Sequence, residues 1–232
     1  MDETVTFTRL RESGVVAVLI IDAVEDAVPV AEALLMGGVR AMELTLRTPA
    51  ALKGLEAIRT KVPQMLAGVG TIIRPDQVDA VLDVGGMFGV SPGMSPAVVQ
   101  RALASGLPFA PGICTPSDIE RALEFDRKLL KFFPAETSGG LKYLQNIGAP
   151  YQHLGLGYVP LGGLTLLNMG TYLQSPLIAA IGGSWLAPRE LIKEGKWEAI
   201  QEAAEAATQA LQDARLLTAG GRPNELPSTP QR

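Results

Sequence analysis

One cysteine, one histidine and few aromatic side chains (5%) stand in a chain of 232 residues. The lone Cys114 excludes an internal disulfide and fits a reducing compartment. The lone His153 excludes a metal centre built on paired histidines. No cluster of His, Asp and Glu at ligand spacing takes its place, so neither a metal nor a cofactor is expected. Without a catalytic histidine beside it, Cys114 reads as a buried or partly buried inert thiol, and His153, in a loop-like segment, as a surface or structural residue. No basic run interleaved with aromatics appears, so nucleic acid is not an expected partner. The first apolar run, Val15 to Ile21, is too short to span a bilayer, and the acidic start Met1-Asp2-Glu3 is no secretory leader. A soluble, cytoplasmic protein with no membrane partner is expected.

Hydrophobic residues make up 47% of the chain and charged ones 19%, with a formal net charge of −4, which is ample for a large buried core. An anionic substrate must therefore be held by local groups and not by a global positive field. After a short leading helix over residues 4–12, apolar strand-like runs alternate with helical periodicity eight times. The runs lie at 15–21, 41–46, 65–69, 87–90, 108–110, 129–133, 158–160 and 177–181. Between them fall helical stretches, among them 24–36, 49–60 and 164–173, with the longest at 197–217. Asp22 and Thr48 sit where helix N-caps are expected, and Gly37-Gly38 and Gly85-Gly86 where helices stop. Eight strand-helix units imply parallel pairing and a single-domain (β/α)8 TIM barrel over residues 1–218, with an open doubly wound sheet as the competing architecture. Residues 219–232, rich in Gly, Pro and polar side chains, read as a disordered tail.

The run Leu129-Leu130-Lys131-Phe132-Phe133-Pro134 holds one lysine in a strand of otherwise apolar composition. A buried ammonium costs several kcal/mol unless it is paired or gives up its proton. The side chain either escapes to solvent past the strand end or serves as a nucleophile toward a carbonyl. In a barrel of this class the active site lies at the C-terminal ends of the strands, where polar groups concentrate here. On the second strand Glu43, Thr45 and Arg47 share one face by two-residue alternation. Glu43 and Arg47 could pair with each other at the rim, or converge with Lys131 on one mouth. Thr71 ends the third strand after Gly68-Val69-Gly70. Ser91-Pro92-Gly93 and Pro111-Gly112 read as turns. Gly162-Gly163 and Gly182-Gly183-Ser184 follow the seventh and eighth strands, where barrels bind phosphate on bare backbone N–H groups. Gly155-Leu156-Gly157 lacks the strand-then-helix setting of a dinucleotide fingerprint.

Five segments taken in order, Glu43 to Thr48, Gly68 to Thr71, Val90 to Gly93, Lys131 to Glu136 and Gly182 to Trp185, resemble the motifs of 2-dehydro-3-deoxy-phosphogluconate (KDPG) and 4-hydroxy-2-oxoglutarate (KHG) aldolases. The resemblance runs from about residue 8 to residue 215. It implies a metal-independent class I aldolase, a homotrimer of barrels, acting on a 2-keto acid or phosphosugar acid. Lys131 would be the Schiff-base lysine and Glu43 the general acid/base. Arg47 and Thr71 would hold the pyruvate carboxylate, Phe133 would contact substrate, and Gly162, Gly163, Gly183 and Ser184 would form the phosphate end. Where the family commonly carries Pro-Thr-Gly-Gly, this chain has Pro160-Leu161-Gly162-Gly163. Leu161 thus presents methyl groups in place of a hydroxyl to the middle of the substrate, which leaves the preferred sugar acid open. Two readings of other kinds remain: a phosphosugar isomerase or epimerase with Glu43 as base and no imine, and a non-catalytic phosphometabolite-binding barrel.

Overall fold

The computed structural model describes residues 2–220. A first helix, α1 (Glu3–Ser13), opens on the Asp2 carboxylate, which accepts from the backbone N–H groups of Thr4 and Val5. It closes on Gly14, whose φ of 66° is the left-handed conformation that glycine adopts without strain. Strands and helices then alternate: β1 (Val15–Leu19), α2 (Ala27–Met36), β2 (Ala41–Thr45), α3 (Ala51–Lys61), β3 (Leu66–Gly70), α4 (Pro75–Asp83), β4 (Gly89–Val90), α5 (Pro96–Ser105) and β5 (Phe109–Ala110). There follow β6 (Gly112–Ile113), α6 (Pro116–Leu123), β7 (Leu129–Phe132), α7 (Gly140–Gly148), β8 (Gly157–Pro160), α8 (Met169–Leu173), β9 (Ile181–Gly183), α9 (Arg189–Lys193) and α10 (Trp197–Gly220). Proline occupies the first helical position of α4, α5 and α6, where its missing N–H has no partner to lose.

All strand pairs are parallel. The expected single run of eight strands appears instead, among the described residues, as nine strands in two sheets, one ordered β5-β4-β3-β2-β1-β9 and one ordered β6-β7-β8. The extra break falls at Pro111, which has no N–H to give to a ladder and so divides β5 from β6. The last strand also starts later than the apolar run 177–181 suggests. Its ladder with β1 begins at Ile181, opposite Val15, while Ile178 makes only a single bridge to Tyr158.

Several local expectations yield to tertiary contacts. Thr48 does not cap α3, whose N-cap is Ala50; its hydroxyl donates to the Ile21 carbonyl. Asp22 caps nothing and instead accepts from Arg189 (2.7 Å) and Lys193 (3.3 Å) of α9. The Arg189 guanidinium holds the Asp22 carboxyl well below its usual range, to about 2. The helix expected over 164–173 begins only at Met169, because the Asn168 side chain accepts from the Thr165 N–H and donates to the Gly163 carbonyl, an alternative to helical bonding. His153 is exposed and lies in a 3-10 turn, Ala149–Leu154, and Cys114 is half-buried. Residues 219 and 220, expected in a tail, instead end α10, and residues 221–232 lie outside the described residues.

Two apolar layers result. The larger lies between strands and helices and takes Met42, Leu44, Leu130 and Phe132. The smaller fills the other strand face with Val16, Ala41, Leu66, Phe88, Leu129 and Val159, and Leu10 of α1 joins it. Two-residue alternation therefore puts Glu43 and Lys131 on the inner face, above Ala41 and Leu129. Gly112, opposite Lys131 in the ladder, is needed for space, since a Cβ there would stand 2.3 Å from the Pro92 backbone. Gly112→Ala should lower stability by about 1–3 kcal/mol, the usual range for overpacking. A urea midpoint equal to that of the unaltered protein would reject this account.

Candidate active site

The Lys131 Nζ lies 3.1 Å from Glu43 Oε1, with the two side chains only 8% and 3% exposed. They reach each other across 88 positions of sequence and from different sheets, Glu43 from the middle of β2 and Lys131 from β7. Such a pair is held by mutual attraction in a poorly solvated place, so removing one member strands the other. Room for the carboxylate comes from Gly70 of β3, where a Cβ would stand 2.4 Å from Glu43 Oε1. On its outer side Lys131 Nζ lies 5.7 Å from the centre of the Phe133 ring, within range of a cation–π contact. Below the pair a residual void of about 20 Å³ is walled by Leu10, Val16, Phe88, Val90 and Leu129, among others, so the floor of the site is apolar.

Above the pair a cavity of about 230 Å³ opens at the C-terminal ends of the strands. Glu43, Arg47, Thr71, Lys131, Phe133, Leu161, Gly162, Gly183 and Ser184 all line it. Gly163 does not: it faces Glu136, whose Cβ would lie 2.6 Å from a Cβ added at Gly163. Glu136 in turn accepts a short hydrogen bond from the Tyr172 hydroxyl, so Gly163 serves the turn that holds Gly162 in place. The rim pair between Glu43 and Arg47 does not form, because Lys131 takes the carboxylate; Arg47 is exposed and is in no ion pair among the described residues.

Thr71 has φ of 65°, a left-handed conformation that is strained for a β-branched residue. Such strain persists only where surrounding structure imposes it, and it turns Thr71 onto the cavity. Gly162 (φ 96°) and Gly163 (φ 83°) take the same half of conformational space without a side chain to strain. Gly183 is extended, yet a Cβ on it would stand 1.6 Å from the Trp185 ring, so glycine is required there by contact. Leu161 is buried and packs on Gly182, with its side chain forming part of the cavity wall.

Sequence reasoning gave no role to Val18, Ile20 and Pro92, which also line the cavity, and none to Thr45, whose hydroxyl donates to the Leu19 carbonyl at 3.0 Å. Val18 and Ile20 were legible, since they continue the inner face of Val16 by alternation. Pro92 had no local signal, because its approach depends on Gly112 two strands away.

A parallel α/β sheet with a buried amine and carboxylate under a cavity at its strand ends has the groups that a lyase of the aldolase class requires. Residues 7–203 match the family described as KDPG and KHG aldolase. The chain is 42% identical to the 2-dehydro-3-deoxy-phosphogluconate aldolase of Pseudoalteromonas atlantica over 196 residues, which is 84% of this chain and 90% of the relative. It is similar to the structure of KDPG aldolase from Legionella pneumophila with pyruvate captured as a covalent carbinolamine intermediate (TM-score 0.83, 35% identity, 89% of this chain and 98% of that one). A Zymomonas mobilis 2-keto-3-deoxy-6-phosphogluconate aldolase with 3-phosphoglycerate is comparable (TM-score 0.80, 34% identity, 89% and 94%). The chain belongs to the KDPG and KHG aldolase family.

Lys131→Ala should leave the Glu43 carboxylate buried and unpaired and lower stability by about 3–5 kcal/mol. The double variant Lys131→Met with Glu43→Gln should recover most of that loss in urea unfolding. Equal midpoints for the single and double variants would show that the two side chains do not act as a coupled pair.

Proposed function

We propose that the protein is a class I aldolase that cleaves a 2-keto-3-deoxy-6-phospho sugar acid to pyruvate and glyceraldehyde 3-phosphate, with Lys131 as the imine-forming residue. The observation that carries this reading is the Lys131–Glu43 pair at the floor of the cavity. An ordinary lysine is neutral to only about one part in a thousand at pH 7.4, and only the neutral amine attacks a carbonyl. At 3.1 Å the Glu43 carboxylate can take the ammonium proton directly, giving the neutral amine and a carboxylic acid where the substrate arrives.

The amine adds to C2 of the 2-keto acid, and Glu43 returns a proton to the carbinolamine hydroxyl, which leaves as water. The resulting cationic imine accepts the electron pair of the C3–C4 bond as the C4 hydroxyl loses its proton to Glu43, directly or through water. The aldehyde departs, the enamine takes a proton at C3, and hydrolysis of the imine frees pyruvate and restores Lys131. Arg47, the unpaired guanidinium of the cavity, and the Thr71 hydroxyl bind the carboxylate and fix the C2 carbonyl against Nζ. Phe133 shields the imine from one side.

Gly162, Gly183 and Ser184 bind the phosphate through backbone N–H groups and a hydroxyl at the far side of the cavity, with Gly163 acting through the turn. Leu161 sets an apolar wall between the two ends. The same imine chemistry extends to 4-hydroxy-2-oxoglutarate, giving pyruvate and glyoxylate. An isomerase without an imine or a non-catalytic binding barrel gains nothing from the family match, which is to aldolases.

In this proposal the two sheets are parts of one (β/α)8 barrel forming a single domain over residues 1–218. Only Pro111 separates β5 from β6, and the Tyr158 bridge to Ile178, with the Ala179 N–H donating to the Tyr158 carbonyl at 2.9 Å, carries β8 toward β9; both support closure. The assembly is a homotrimer working in the cytoplasm. Among the described residues no helix is long and apolar enough to cross a membrane.

Borohydride added with pyruvate should leave a stable mass adduct on the Lys131 peptide; an unmodified peptide overturns the imine. Lys131→Ala should lose aldol cleavage by at least about a thousandfold, and near-normal rates in that variant would end the assignment. Rates on the phosphogluconate-type, phosphogalactonate-type and unphosphorylated 4-hydroxy-2-oxoglutarate substrates, compared for the natural chain and Leu161→Thr, should show the ranking shift with that one side chain. An identical ranking in both would remove Leu161 from specificity.

A further inference from the structure

At the opposite end of the strands from the catalytic cavity lies a second and larger one, of about 570 Å³. It forms where the α1 helix, the entry to β2 and the last helix α10 meet, and its walls include Arg9, Arg40 and Arg215. Glu12 is the only carboxylate among the lining residues, and it pairs with none of the three: among the described residues no ion pair involves Arg9, Arg40, Arg215 or Glu12. In a chain of net charge −4, three guanidinium groups without a carboxylate partner in one concavity are not an average surface.

The three arginines differ in what already engages them. Arg215 is committed through one nitrogen, Nη2, which donates to the carbonyls of Arg11 (3.1 Å) and Glu12 (2.8 Å) at the end of α1. Arg9 makes one long contact, 3.4 Å, to the Gln64 carbonyl, and among the described residues the Arg40 side chain has no hydrogen-bond partner. A fourth guanidinium, Arg59, stands near enough to Arg9 for the like charge to be felt. That charge adds to burial, the larger cause, in holding the Arg59 pKa below its usual value. Arg59 donates from Nε to the Gly85 carbonyl, but its Nη1 is buried with no partner. The side-chain amides of Gln64 and Gln212 add uncharged donors to the same cavity.

We propose that this cavity is a binding site for a small organophosphate carrying two or more negative charges, held by Arg9, Arg40 and the free face of Arg215. The planar forks of arginine match phosphate oxygens, and the volume suits a ligand of nucleotide or sugar-phosphate size. A ligand here would touch α1 and α10 together. It would not overlap the catalytic cavity, with which this one shares no residue. Binding would stabilise the fold by mass action without competing with substrate.

Inorganic pyrophosphate is a suitable probe, titrated calorimetrically into the full-length protein at constant ionic strength. Saturable binding with a Kd below about 1 mM is expected, and it should survive Arg47→Gln, which removes the guanidinium of the catalytic cavity. Arg9→Gln and Arg40→Gln should each weaken binding about tenfold, as loss of a charged hydrogen bond to phosphate does. Arg40→Lys, which keeps the charge and loses the fork, should fall between. Arg40 is exposed, so Arg40→Gln should fold and retain its aldol cleavage rate. The proposal is overturned by an absence of saturable binding, by affinities unchanged in both Gln variants, or by binding that disappears in Arg47→Gln alone. It is also overturned if Arg40→Gln changes the mass of the oligomer while binding persists, since the arginines would then belong to an interface.

Discussion

One ion pair organises the molecule around it. An ammonium and a carboxylate that both lie more than nine-tenths out of solvent are tolerable only together, and each is delivered by a different sheet. The glycines that look like ornament in the sequence are the spatial conditions for that meeting. Gly70 leaves the gap that Glu43 fills, and Gly112 lets the Pro92 loop approach the ladder beside Lys131. An apolar floor of Val16, Phe88, Leu129 and their neighbours keeps the pair from being hydrated from below. Everything that reaches the two groups must therefore come through the mouth.

The cavity divides by chemistry in a way that follows from the strands supplying it. Strands β2 and β3 bring the carboxylate, the guanidinium and the strained Thr71, while β7, β8 and β9 bring the amine, Leu161 and the bare backbone of Gly162 and Gly183. The carboxylate and the guanidinium stand on one half, and the amine and the bare backbone on the other. Under the proposed function, a substrate with a carboxylate at one end and a phosphate at the other would meet a guanidinium with the first and peptide dipoles with the second. The arginine-lined cavity at the other end of the strands repeats the first device and not the second.

Much of this was legible in the sequence, and most of the parts that were not share a cause. The alternation of strand and helix, the single lysine of the 129–133 run and the common face of Glu43, Thr45 and Arg47 are period-two or period-3.6 signals, carried by neighbours in sequence. Asp22 and Thr48 look like helix caps to such a reading, yet Arg189 and the Ile21 carbonyl claim them across the fold. The rim pair of Glu43 with Arg47 was the local solution, four residues apart, and Lys131, 88 positions away, displaced it. Gly163 turned to Glu136 is likewise the outcome of a distant contact, whereas Pro111 splitting a strand and Asn168 delaying α8 are local effects, of a missing N–H and of a side chain that competes with helical bonding.

The division of the strands between two sheets has a consequence for how the protein comes into being. The segment through β5 carries Glu43, Arg47 and Thr71, and the segment from β6 onward carries Lys131, Phe133, Leu161 and the glycine turn. Neither stretch owns a complete site, so a growing or refolding chain has no active intermediate, however native its first half becomes. The amine and its carboxylate meet only after elements 88 positions apart have closed on each other, a slow kind of contact for a chain to make. Catalytic competence thus reports that both segments of the chain have come together.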